Sequence, residues 1–141
     1  NIINKKIKTS LTNKLKILFC IGETLSEKKK KMTKRVLVHQ IRMGLKKVKN
    51  INNIIFAYEP VWSIGTGIVP KKLELKNNIS FIKKFLRNNF KSKNPRLLYG
   101  GSVNPKNIKN LIQIDEINGF LIGGASQSSN KFIDIIKKSY N

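Results

Sequence analysis

The stretch "NIIFAYEP", Asn53 to Pro60, is too short to be the core of a helix and too apolar for a strand with one face in water. It reads as a strand covered on both faces, the kind found in parallel sheets. Three further runs of this kind, each closing on glycine, lie along the chain: "KILFCIGE" (Lys16 to Glu23), "RLLYGGSV" (Arg96 to Val103) and "GFLIGGAS" (Gly119 to Ser126). The segments between them have helical spacing. Val36, Ile41, Leu45 and Val48 form one apolar stripe, and Leu75, Ile79, Ile82 and Leu86 form another at intervals of three or four. Asn104 reads as an N-cap with Pro105 at the first helical position, opening a short helix through Ile108, Leu111 and Ile112. Asn130 is placed to cap a closing helix with Phe132, Ile133, Ile135 and Ile136, and the opening "IINKKIKTSL" is helical in spacing too. The predicted order is one helix followed by four βα units.

Such alternation specifies a parallel α/β sheet with right-handed crossovers, either open and doubly wound or part of a (β/α) barrel. No G-x-G-x-x-G follows any strand, so the dinucleotide fingerprint of the open class is missing. The 141 residues are expected to form a single domain without a linker, and the lysine run Lys28 to Lys31 reads as a solvated helix start.

Composition narrows the function classes. One cysteine, Cys20, excludes an internal disulfide framework. The opening residues lack a signal peptide's apolar stretch and no run reaches the ~20 apolar residues that span a bilayer, so a soluble, cytoplasmic protein without membrane contact is expected. Lys and Arg number 29 against 7 Asp and Glu, a net charge of +22. The cations are 25 Lys to 4 Arg, scattered through nearly every polar segment, whereas a nucleic-acid reader favours Arg for bidentate contacts. Specific nucleic-acid binding is not expected; adhesion to polyanions at low salt is.

In either parallel architecture, sites gather at the carboxyl ends of the strands. Here those ends are Gly22-Glu23, Glu59-Pro60, Gly100-Gly101-Ser102 and Gly123-Gly124-Ala125-Ser126. A lone Gly-Gly is a common tight-turn device. Two on consecutive strands, the second leading toward a helix, favour a nest of backbone N–H groups that holds a phosphate. Pro60 ends its strand and keeps Glu59 extended, at a tip on the face shared by Ala57 and Ile55. The following "VWSIGTG" joins an apolar anchor, Trp62, to two flexible glycines, the composition of a lid. A carboxylate shielded from water under a lid is a base able to take a proton from carbon, although a helix-capping carboxylate in a βα loop fits the same residues.

"CIGET", "AYEPVWSIGTG", "YGGSV" and "GFLIGGAS", in this order and with these gaps, resemble the second half of the triosephosphate isomerase family, over essentially the whole chain. The resemblance implies a TIM barrel, here its second half with four parallel βα units. It also implies the glycolytic and gluconeogenic interconversion of dihydroxyacetone phosphate and glyceraldehyde 3-phosphate through an enediolate, without cofactor or metal. By the same motifs, Glu59 is the proton-shuttling base, Pro60 to Pro70 the lid, and the backbone of Gly65, with Ser102, Gly123 and Gly124, the grip on the substrate phosphate. Tyr58 and Tyr99 are expected to support strand packing and the closed lid, Glu23 to be a buried structural residue, Cys20 to be core, and His39 to lie on a helix surface. Ile68 stands where many members have lysine, and Gln127 where leucine is usual. The family's first four strands have no counterpart here. With them go a lysine that offsets substrate charge, a histidine that polarises the carbonyl, and a loop that reaches a second subunit. A homodimer is therefore implied for the complete protein, and no activity for this chain alone. The alternatives are an inactive truncated half-barrel or a basic polyanion-binding module.

Overall fold

The computed structural model describes residues 2–90 and 92–140. Helix α1 (Ile2–Thr12) precedes β1 (Ile17–Ile21); α2 (Leu25–Lys29) and α3 (Thr33–Gly44) lead to β2 (Ile54–Tyr58). A single 3-10 turn, Val61–Ser63, and the long α4 (Lys72–Phe90) follow, then β3 (Leu97–Gly101), α5 (Ile108–Leu111) and β4 (Phe120–Ile122). A second 3-10 turn, Gly124–Gln127, runs into the last helix, α6 (Ser129–Tyr140).

The four strands form one parallel sheet in the order β1-β2-β3-β4, so each strand lies beside its neighbour in sequence. A doubly wound sheet reverses its order at a switch point; this one does not, and that is the ordering of a barrel. The sheet is not closed. Side chains alternate across it. Phe19, Ile21, Ile54, Phe56, Tyr58, Leu97 and Tyr99 point to the helical layer and are buried. They pack on Leu37 and Ile41 of α3, on Leu75, Ile79, Ile82 and Leu86 of α4, and on Ile108 and Ile135. All four apolar positions that the spacing of α4 marked are fully buried.

The other face departs from the sequence reading. Leu18 is 42% exposed and Cys20 is exposed, so β1 is covered on one face only, and Cys20 is not core. A barrel strand is apolar on its inner face because opposite strands fill the interior, and four strands supply too few.

Helix boundaries also move. Asn104 caps a turn rather than a helix: its Oδ1 accepts the Lys106 N–H at 2.9 Å and its carbonyl the Ile108 N–H at 3.1 Å, while α5 starts at Ile108. The closing helix starts at Ser129, and Ser128 Oγ, not Asn130, accepts the Lys131 N–H at 3.5 Å. The run Lys28 to Lys31 ends a helix instead of beginning one. Thr24 and Glu27 form a capping box before it, Thr24 N–H donating to Glu27 Oε2 at 2.8 Å.

Candidate active site

β2 carries Glu59 to the carboxyl edge of the sheet, where its N–H still donates to Ile21 O at 2.7 Å. Its backbone is fixed on a second side by Gly22, at which a Cβ would collide with the Glu59 carbonyl oxygen. Gly22 is in turn held by Gln40, whose side-chain amide exchanges two 2.9 Å hydrogen bonds with its backbone. The Glu59 carboxylate lies over Gly100: a Cβ there would come 2.5 Å from Oε1. The residue is half-buried and lines a cavity of 210 Å³ with Cys20, Gly22, Gln40, Val61 and Ile64. Desolvation, then the hydrogen bond and negative charge of Glu59, push the Cys20 thiol up to about 12.

The segment 60–70 is anchored to the rest of the chain through Val61, Trp62, Ser63 and Gly67. Trp62 donates Nε1–H to Glu23 Oε1 at 2.9 Å, and the wholly buried Glu23 also accepts from Tyr58 Oη at 3.1 Å. Burial, and next the Glu23 charge, push the Tyr58 hydroxyl up, keeping it a donor. Asn78 Nδ2 donates to the same hydroxyl at 2.9 Å, completing a satisfied buried network. Ser63, buried, donates Oγ–H to the Ile68 carbonyl, which leaves the Tyr99 hydroxyl, 3.1 Å away, to donate to Ser63. Ser102 Oγ accepts the Gly67 N–H at 2.8 Å and donates to Ser63 O at 2.7 Å. Gly65 and Gly67 hold φ of +71° and +78°, which side chains with a Cβ adopt only under strain.

Gly65, Ser102 and Gly124 line one cleft of 460 Å³ with Gly67, Gly101, Lys106 and Lys131. Gly123 is exposed beside it, its carbonyl taken by the Ser126 N–H, but it does not line the cleft. Glu59 does not line it either. The first glycine pair has a structural reason that the phosphate reading overlooked: Gly100 makes room for Glu59. A Cβ on Gly101 would lie 2.6 Å from Tyr99 Oη and 2.8 Å from Ser63 Oγ. His39 is exposed on α3, as expected, and Glu23 is buried, as expected. The role of Ser63 had no signal in the sequence, since a serine in a glycine-rich loop looks like filler. Among the described residues no group of three or more His, Cys, Asp or Glu could hold a metal ion.

A model of the triosephosphate isomerase family matches residues 1–139. The triosephosphate isomerase of Thermodesulfovibrio yellowstonii is 42% identical over 139 residues, covering 97% of this chain and 56% of that protein. That of Leptospira interrogans serovar Lai is 43% identical over 139 residues, covering 94% and 56%. For that of Mycoplasmoides gallisepticum the figures are 40% over 141 residues, 96% and 56%. The chain spans a little over half the length of the curated relatives it matches.

Proposed function

The chain belongs to the triosephosphate isomerase family, and on that premise we propose that it supplies the base and the phosphate grip for interconverting dihydroxyacetone phosphate and glyceraldehyde 3-phosphate. The observation that carries this reading is the common placement of Glu59 and the Gly65, Ser102, Gly124 cleft at the carboxyl edge of one parallel sheet. The division of labour follows the family's known chemistry, a glutamate base working beneath a closing lid. Glu59 takes a proton from one substrate carbon and returns it to the next. The backbone N–H groups around Gly65, Ser102, Gly123 and Gly124 hold the phosphate. The Ser102 hydroxyl is committed to the lid, so its share of the grip falls to its N–H. A phosphate held by backbone dipoles keeps the substrate in place during proton transfer, and the lid excludes the water that would protonate the enediolate.

The finer roles go with the complete protein: a homodimer acting on a small phosphorylated triose in the cytoplasm, in glycolysis and gluconeogenesis. In this chain the only histidine, His39, is on an exposed helix face, and no ion pair to Glu59 exists among the described residues. The developing enediolate charge then lacks an electrophile, so the chain by itself is expected to show no turnover. The test is reconstitution. The chain is co-refolded with a polypeptide supplying the remaining strands of the T. yellowstonii relative and assayed for triose interconversion. Activity that appears on mixing and disappears with Glu59→Gln supports the reading; activity indifferent to Glu59→Gln refutes it.

A further inference from the structure

Lys28 stands between the two ends of the segment 60–70. Its Nζ lies 3.8 Å from the centroid of the Trp62 ring, at the beginning of that segment. The same Nζ is 2.6 Å from Glu74 Oε1, in the first turn of α4, just beyond the segment's end. The side chains of the ion pair are only 27% and 35% exposed, so solvent screens it less than an ordinary surface pair. At the edge of the same indole, Nε1–H is held by Glu23. A cation over an indole face draws on its π-density and sharpens the N–H as a donor, so the two contacts reinforce one another.

We propose that Lys28 is a strap across the two hinges of the lid, a positioning residue that biases Trp62 toward its seat on Glu23 and so holds Gly65 at the mouth of the phosphate cleft. The proposal rests on reading Pro60 to Pro70 as a lid. Opening must lift the indole off the ammonium, and Glu74 keeps that ammonium from following. Salt weakens the ion pair and with it the strap.

Trp62 is the only tryptophan, so its emission reports this contact without an activity assay. Acrylamide quenching of the full chain measures how often the indole is exposed. Lys28→Met is expected to raise the quenching constant about two- to fivefold, the cation–π contribution expressed as a population ratio. Lys28→Arg restores the wild-type value, and Glu74→Gln, which keeps the cation and removes its anchor, falls between. If Lys28→Met does not fold by circular dichroism, Glu74→Gln carries the test. A wild-type quenching constant in the interpretable variant, or Lys28→Arg no better protected than Lys28→Met, overturns the strap. A titration of the wild-type chain with inorganic phosphate tests the lid separately. No change in Trp62 emission sinks the lid reading and leaves the strap to the quenching result.

Discussion

Ser102 accepts the Gly67 N–H at 2.8 Å on the same Oγ that donates to the Ser63 carbonyl at 2.7 Å. One hydroxyl thereby ties both halves of the loop to the end of β3. Removing it in Ser102→Ala leaves the exposed Gly67 N–H to water and the carbonyl of buried Ser63 to the hydroxyl and N–H of Thr66, each lost bond worth about 1 kcal/mol of net hydrogen bonding. The effect is expected to be local. Amide exchange at Thr66, Gly67 and Ile68 should accelerate about tenfold or more, while exchange in α4 stays unchanged. Equal acceleration in both places would mean that the serine supports the fold rather than the loop.

The glycines of the site differ sharply in what they tolerate. A Cβ at Gly22 collides with the Glu59 backbone carbonyl, which cannot move without disturbing the β1–β2 pairing, whereas a Cβ at Gly123 meets nothing within 4 Å. Gly22→Ala is expected to destabilise by roughly 1–3 kcal/mol as an overpacking change, and Gly123→Ala by no more than about 0.5 kcal/mol. Urea titrations of the two variants check this order.

Much of this architecture was legible because burial leaves periodic traces. Leu75, Ile79, Ile82 and Leu86 are spaced for one helix face and all four are fully buried. What covers a strand leaves no such trace. The apolar side chains of Leu18 and Cys20 look the same whether the face they line is filled or open, and here it is open. Contacts made by register were equally hidden. Cys20 meets Glu59 because Cys20 pairs with Ala57, a fact of strand alignment that no local motif encodes. Gly100 and Gly101 carried a real signal, close approach, but the approaching groups are the chain's own Glu59, Tyr99 and Ser63. The capping box at Thr24 and Glu27 was readable as Thr-x-x-Glu and was obscured by the lysines after it.

The open face makes a direct prediction about stability. Leu37 is fully buried against the sheet, while Leu18 is 42% exposed on the concave side. Leu37→Ala should lower the unfolding free energy by about 2–5 kcal/mol, whereas Leu18→Ala should change it by less than about 1 kcal/mol. Chemical denaturation distinguishes them. A large loss for Leu18→Ala would show that the chain in solution covers its concave face, and sedimentation of the wild type would then reveal the self-association responsible.

Cys20 and Glu59 give the last prediction, a pH dependence. Desolvation, followed by the carboxylate's hydrogen bond and charge, raises the thiol from 9.0 to about 12 in the folded chain. In the unfolded chain it loses its proton nearer 9, so between about 9 and about 12 the folded state binds more protons than the unfolded one. Stability from this site is therefore complete below pH 9 and declines as pH rises through that window. Alkylation by iodoacetamide, which needs the thiolate, should be slow at pH 8 despite the exposure of Cys20. Glu59→Gln removes the neighbouring charge, lowers the thiol's pKa and should speed alkylation at the same pH. An unchanged alkylation rate in Glu59→Gln would show that the carboxylate does not face the thiol in solution, and that Glu59 is aimed away from β1.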